Sequence, residues 1–160
     1  MMVKHDDWWT KRADFEKWCK KYEIIPELDV AASHKNHLCE KYFTKEEDAL
    51  TKSWYYQYHD YVGAADLWMN PPNSILKKFI RKAYSEWLRH GMKQLWIIPC
   101  QAFASGAFID TVWKEYLSQR VIGERVIIDP IFPRPVFLEH GKEPENAAAT
   151  SYMAVVLKNL

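Results

Sequence analysis

The chain has 160 residues, which is the size of about one domain, and its 48% hydrophobic and 27% charged residues exclude a disordered tail or a fibre. Twenty-two basic and 21 acidic residues give a net charge of +1, so no bulk field draws the chain to nucleic acid or membrane. Three widely spaced cysteines argue against a disulfide framework, and neither a secretory signal nor a membrane-spanning apolar run is present. We therefore expect a cytoplasmic protein.

The first half of the chain predicts short elements separated by loops. Residues 13–22 carry apolar side chains at i, i+3, i+4 and i+7, which predicts a helix that ends before Pro26. Residues 27–32 predict a buried strand. Residues 34–63 predict loops and short pieces, and residues 66–69 predict a second brief strand.

The second half has clearer patterns. Residues 74–90 have the apolar spacing of a core-facing helix, and Gly91 stands where a C-terminal cap is expected. Residues 94–99 predict an apolar strand and residues 108–117 a further helix. Late strands are predicted at residues 121–128, 135–138 and 151–157. The alternation predicts a single α/β domain over residues 1–160, with a mostly parallel central sheet and helices on both faces.

Ligands of such sheets bind beyond the carboxyl ends of the strands, where Asp29 and Asn70 stand. Pro71 and Pro72 fix φ twice and remove two backbone donors, so the Asn70 carboxamide and the adjacent carbonyls form a stiff set of acceptors. Acceptors that hold both N–H bonds of an exocyclic amine would stabilise the positive charge that develops as the nitrogen attacks a methyl group. The alternative is a turn that ends a strand and caps the next helix through Asn73 or Ser74.

Four ordered segments carry further motifs, namely Asp7-Trp-Trp-Thr10, Leu28-Asp-Val-Ala-Ala-Ser33 with Asn36, Glu47-Asp-Ala-Leu50 and Trp68-Met-Asn-Pro-Pro-Asn-Ser74. Together they resemble the phage-type (Dam-like) DNA N6-adenine methyltransferases, which use S-adenosylmethionine. Residues 96–99, 133–137 and 150–153 resemble the family more loosely. The resemblance implies a minimal Rossmann-like methyltransferase fold in a prokaryotic or phage-encoded protein that methylates the N6 amine of adenine in double-stranded DNA.

The resemblance also implies roles for individual residues. Thr10 would close over the carboxylate of S-adenosylmethionine, Asp29 and Ala31 would line its methionine and ribose, and Asp48 would accept a hydrogen bond from its adenine or ribose. The target amine would be held by the catalytic loop, which consists of Asn70, Pro71, Pro72 and Asn73, and Asn70 would also contact the cofactor. Simpler roles stay open: Asp29 as a turn cap, Thr10 as a helix N-cap, and Asp48 as part of a solvated acidic stretch.

The chain departs from the family pattern at two positions. Family members carry an aromatic residue where this chain has Asn73, and that ring stacks on the flipped-out adenine, a contact worth about 1–3 kcal/mol. Lys11 follows Thr10 where the family has proline. Replacement rings could come from Trp8, Trp9, Trp54, Tyr55 or Tyr56, although the core is the expected place for most of them.

Two further groups of residues were weighed. Lys77, Lys78 and Arg81 follow the catalytic loop on a predicted helix and would track DNA phosphates, although a solvated helix face explains them equally well. The segment from His34 to Cys39 carries three soft ligands but has no C-x-x-C partner, so we expect no metal.

A separate target-recognition domain does not fit in 160 residues. Base readout would come from loops at residues 34–63 and 129–149, or from a second subunit in a homodimer. The leading prediction is therefore methylation of adenine N6 in DNA. One alternative is methylation of another planar amine or amide, in an RNA base or a protein glutamine, and another is a catalytically lapsed module that binds DNA or a partner.

Overall fold

The computed structural model describes residues 8–55, 66–144 and 150–160. The strands are β1 (Trp8–Trp9), β2 (Leu28–Asp29), β3 (Lys41–Tyr42), β4 (Leu67–Met69), β5 (Gln94–Pro99), β6 (Val126–Pro130), β7 (Leu138–Glu139) and β8 (Tyr152–Leu157). The helices are α1 (Arg12–Lys21), α2 (Leu76–His90), α3 (Gly106–Phe108) and α4 (Lys114–Ser118), and a π-helical turn, Ile109–Trp113, joins the last two. Short 3₁₀ turns lie at Ala49–Thr51, Asn73–Ile75 and Cys100–Ala104.

Six of these strands form one sheet in the order β3-β2-β4-β5-β8-β6. Neighbours from β3 to β5 are parallel, whereas β8 is antiparallel to both β5 and β6. Five strands therefore run in one direction and β8 runs against them. The prediction of an α/β protein is confirmed, with a mixed rather than purely parallel sheet.

The strand side chains alternate between the two faces of the sheet, as the period of two requires. Trp68 of β4 packs on one face against α1, with its ring centroid 4.9 Å from Phe15 and 6.3 Å from Trp18. Leu67 and Met69, its neighbours, belong to the other core cluster, which contains the apolar face of α2. Helices thus cover both faces, as predicted.

Helix α2 follows the predicted pattern closely. Phe79, Ile80, Ala83 and Trp87 are buried at the expected spacing. Gly91 caps the helix at φ 66°, and its N–H donates to the Trp87 carbonyl oxygen at 2.8 Å. Because a left-handed backbone suits glycine, the end of the helix could be read from the sequence.

Several predicted boundaries are wrong. The strand predicted at residues 121–128 begins only at Val126, because residues 121–124 form a turn in which Ile122 is 85% exposed. Of the strand predicted at residues 135–138 only Leu138 is in a strand, β7, which pairs with β1, and β1 was not predicted. No helix among the described residues is long and apolar enough to cross a membrane.

Candidate active site

A cavity of about 610 Å³ lies at the carboxyl ends of β2 and β4. This volume is within the range of about 300–1,000 Å³ that is typical of small-molecule sites. Its lining combines backbone and side chains from three distant parts of the chain. The residues of the sequence-predicted site that line it are Thr10, Asp29, Ala31, Asp48, Asn70 and Pro72.

Asp29 is a buried carboxylate that holds the loop after β2. Its Oδ1 accepts a hydrogen bond from the Ala31 N–H at 3.2 Å, and its Oδ2 accepts one from the Leu38 N–H at 3.1 Å. Burial raises the pKa of Asp29 to about 6, although both N–H groups and the nearby His37 act in the opposite direction. Asp29 is thus a turn cap and a cavity residue at the same time.

Asn70 and Thr10 are joined by a side-chain hydrogen bond. The Asn70 Nδ2 donates to the Thr10 Oγ1 at 2.8 Å, and Thr10 is only 5% exposed. The N-cap residue of α1 is Lys11, so the alternative role of Thr10 as a helix N-cap is wrong. This contact ties the end of β4 to the segment that precedes α1.

The two prolines of the predicted catalytic loop have different surroundings. Pro71 is buried, whereas Pro72 lines the cavity and its carbonyl oxygen accepts from the Ile75 N–H at 3.2 Å. Asn73 is exposed, lies outside the cavity lining and is hydrogen-bonded through its side chain to Tyr152. Burial raises the pKa of Tyr152, and the hydrogen bond to Asn73 opposes that effect. The N-cap residues of the turn and of α2 are Pro72 and Ile75, and neither makes a side-chain capping hydrogen bond, so the capping alternative for Asn73 is wrong.

Asp48 stands at the rim of the cavity in a left-handed conformation. Its φ is 51°, which is uncommon for residues other than glycine, and aspartate tolerates it better than most. The Asp48 N–H donates to the Thr44 carbonyl oxygen at 3.2 Å, and its Oδ1 accepts from the Leu50 N–H at 3.3 Å. The side chain is exposed and lines the cavity, so the local turn directs this part of the acidic stretch toward the site.

The candidate aromatic rings separate into two groups. Trp8 and Trp9 line the cavity. Trp54 is fully buried, with its Nε1 donating to the Ala49 carbonyl oxygen at 2.9 Å, and Tyr55 stacks on His90. The remaining candidate, Tyr56, lies outside the described residues.

The N-terminal wall of the cavity is held by contacts that the sequence analysis missed. Trp8 and Trp9 pair with Glu139 and Leu138 of β7. The Lys11 Nζ lies 2.6 Å from the Glu143 Oε1. Gly141 packs so closely on the ring of Trp9 that an added Cβ would lie 2.8 Å from the Trp9 Cζ3. Gly141 has a φ of 81°, so this glycine was a signal in the sequence for the turn.

The predicted basic residues lie outside the cavity. Lys77 and Lys78 are exposed in the first turn of α2, and the Arg81 Nη2 is 3.7 Å from the Asp110 Oδ2. The histidines after β2 contact Tyr42: the His37 ring stacks on it at 4.0 Å, and the His34 Nδ1 is 2.9 Å from its hydroxyl. Across residues 8–55, 66–144 and 150–160, no three His, Cys, Asp or Glu residues are grouped as metal ligands.

Comparison with known proteins gives a family and one relative. A family profile described as "DNA N-6-adenine-methyltransferase (Dam)" matches residues 2–122. A "DNA N-6-adenine-methyltransferase" of Escherichia phage T1 is 33% identical over 73 residues, which are 46% of this chain and 27% of that protein. The match therefore spans about a quarter of the relative's length. Because the profile covers most of the chain, including every predicted residue that lines the cavity, the chain belongs to the DNA N-6-adenine-methyltransferase (Dam) family.

Proposed function

We propose that this protein transfers a methyl group from S-adenosylmethionine to the N6 amine of adenine in DNA. The observation that carries the proposal is one cavity lined by both Asp29 and Asn70, at the ends of adjacent parallel strands. Adjacent parallel strands with helices on both faces also support a Rossmann-like methyltransferase fold. Family membership supports the reaction class.

The chemistry of the cavity lining suits S-adenosylmethionine. Phe43 and Phe79 offer apolar surface for an adenine ring, and Asp29 and Asp48 offer carboxylates for hydroxyl or ammonium groups. Ala31 and Thr10 complete the wall that the family resemblance assigns to the cofactor. The bound cofactor would supply an electrophilic methyl group on a sulfonium.

In the proposed mechanism, catalysis is mainly positional. The Asn70 Oδ1 accepts one N–H of the target amine and the Pro71 carbonyl accepts the other, which directs the nitrogen lone pair toward the methyl carbon. The same oxygens stabilise the positive charge that develops on nitrogen. The surplus proton leaves to solvent after transfer, so the site needs no general base.

Duplex DNA would bind across the end of the sheet where the carboxyl ends of β2 and β4 meet the cavity. Lys77, Lys78 and Arg81 follow the catalytic loop and would contact phosphates. Strand β6 runs in the same direction as β4, so the loop after β6 leaves from this end. That loop carries Phe132, which is 94% exposed, and Arg134, which suit a base and a phosphate respectively. A homodimer would add further surface for base readout.

The test is transfer of tritium from labelled S-adenosylmethionine to DNA, RNA and protein. We expect label on adenine N6 of DNA. We expect Asn70→Ala to lower the rate at least about 1,000-fold, since it removes a group that acts in the transition state, with little change in cofactor affinity by calorimetry. Asn159→Ala, an exposed change near the C-terminus, is the matched control.

The other outcomes identify the alternatives. Wild-type rates for Asn70→Ala would refute the role of that residue. Label on RNA or protein alone would move the proposal to another planar amine or amide, an alternative that is motivated by Asn73, which cannot stack on a base as an aromatic ring would. Absence of both cofactor binding and transfer would point to a lapsed binding module.

A further inference from the structure

We infer that Thr10 is a positioning residue that fixes the orientation of the Asn70 side-chain amide. The inference rests on the proposed function, in which Asn70 accepts a hydrogen bond from the target amine. Its structural basis is the 2.8 Å hydrogen bond from the Asn70 Nδ2 to the Thr10 Oγ1, between residues 60 positions apart. The resemblance to the family assigned Thr10 to the cofactor instead.

An asparagine amide has two chemically unlike ends. Its NH₂ group only donates hydrogen bonds and its oxygen only accepts them. If the Asn70 amide rotated by 180°, it would present N–H bonds to the N–H bonds of the target amine and hold neither. An aspartate at this position would have two acceptor oxygens, and rotation would change nothing. In the structure the Asn70 Nδ2 donates to the Thr10 hydroxyl, which leaves Oδ1 to accept from the target amine, and loss of that hydroxyl would free the amide to rotate.

The Thr10 hydroxyl can serve this purpose because its backbone is held on both sides. Trp9 precedes it in β1 and pairs with Leu138 of β7. Lys11 follows it, and the Lys11 carbonyl oxygen accepts from the Phe15 N–H at 3.0 Å at the start of α1. Burial of Thr10 keeps water from competing for the Asn70 amide. The acceptor is thus fixed before any substrate arrives.

The experiment combines Thr10→Val and Thr10→Ser with Asn70 and with Asn70→Asp. We expect Thr10→Val to lower single-turnover methyl transfer about 10- to 100-fold when residue 70 is asparagine, as expected for a misplaced reacting group. Thr10→Ser keeps the hydroxyl and should stay within about threefold. In the Asn70→Asp background, Thr10→Val should change the rate less than about threefold, because either oxygen of the aspartate can accept. Rates are compared at saturating S-adenosylmethionine, so that a change of cofactor affinity at Thr10, which also lines the cavity, does not enter the comparison.

A second readout needs neither cofactor nor turnover. In ¹⁵N NMR spectra of the free protein, the Asn70 side-chain NH₂ protons should exchange with water faster in Thr10→Val and not in Thr10→Ser. The Asn159 side-chain amide, exposed near the C-terminus, is the internal control. Unchanged exchange of the Asn70 side-chain protons in Thr10→Val would overturn the inference, whether or not the protein is active. Inactivity on every acceptor would separately refute the proposed function.

Kinetics supply the remaining contrary outcomes. A Thr10→Val variant that loses cofactor affinity while keeping its single-turnover rate would show that Thr10 serves the cofactor and not Asn70. An equal rate loss in the asparagine and aspartate backgrounds would show that the hydroxyl does not act through amide orientation. A rate loss confined to the asparagine background, together with faster Asn70 exchange, would establish Thr10 as the positioning residue.

Discussion

Asp29 both holds the loop after β2 through hydrogen bonds and carries a carboxyl group whose pKa is raised. Only 4% of it is exposed, and each of its carboxylate oxygens accepts a backbone N–H of the loop that it precedes. A buried carboxylate prefers its neutral form because water no longer solvates the charge, and the two N–H groups offset only part of that cost. The pKa of Asp29 is therefore raised to about 6.

We predict that Asp29 makes the stability of the free protein fall as pH rises from about 4 to 6. In this range the folded protein keeps a proton at Asp29 that the unfolded chain has already released, so stability decreases with pH. Relative to Asp29→Asn, the free energy of unfolding should fall by about 2–3 kcal/mol between pH 4 and 7. Urea unfolding of both proteins across this range measures the difference. Parallel pH profiles would contradict the prediction.

Strand β1 lines the cavity and is held in place by β7, a pairing that no local sequence pattern predicted. Two-residue strands have little stability of their own, so side-chain contacts must hold them. The ion pair between Lys11 and Glu143 and the close packing of Trp9 on Gly141 supply such contacts. Thr10 follows directly after β1, so this pairing sets where the partner of Asn70 lies.

We predict that Gly141→Ala disturbs the cavity and that Gly123→Ala does not. Both glycines have positive φ, 81° and 78°, so alanine costs about 1–2 kcal/mol of backbone strain at either position. At Gly141 the new Cβ would also lie 2.8 Å from the Trp9 ring, whereas at Gly123 its nearest neighbour is the Ile127 Cγ1 at 3.6 Å. Calorimetry should show weaker binding of S-adenosylmethionine only for Gly141→Ala. Equal losses of affinity in the two variants would refute a role for the β1–β7 pair.

If the protein acts on DNA as proposed, the charge of the whole molecule sets how it can approach that substrate. A net charge of +1 provides no general attraction to a polyanion, so affinity must come from local groups of cations. Lys77 and Lys78 are exposed in the first turn of α2, whereas Lys17 is exposed on α1, which covers the opposite face of the sheet. The two faces of one nearly neutral molecule should therefore differ in their contribution to DNA binding.

We predict that Lys77→Ala and Lys78→Ala each reduce the slope of log affinity against log salt concentration by about 1. Each substitution removes one phosphate contact and the counterion release that accompanies it. Lys17→Ala should leave the slope unchanged. Fluorescence anisotropy with a labelled duplex between 50 and 200 mM salt, roughly the range over which such contacts weaken strongly, measures the slopes. Identical slopes for all three variants would show that Lys77 and Lys78 of α2 do not contact DNA phosphates.

Features that depend only on residues close together in the sequence could be predicted from the sequence itself. The 3.6-residue period of α2, its Gly91 cap and the diproline corner after β4 are local, because periodicity and restricted φ act over a few residues. The family motifs were readable for the same reason, as each is a short segment. From these patterns and motifs came the α/β class and a part of the cavity lining, namely Thr10, Asp29, Ala31, Asp48, Asn70 and Pro72.

Contacts between distant segments were decided only by the tertiary structure. Strand β8 enters the sheet antiparallel between β5 and β6, although its apolar run would suit either direction. Trp8 and Trp9 line the cavity whereas Trp54 is in the core, and the residue type alone could not distinguish these places. Thr10 meets Asn70 across 60 residues because β7 and α1 hold its backbone there. The residue type fixes which hydrogen bonds a side chain can make. The path of the whole chain between two residues decides whether their side chains meet.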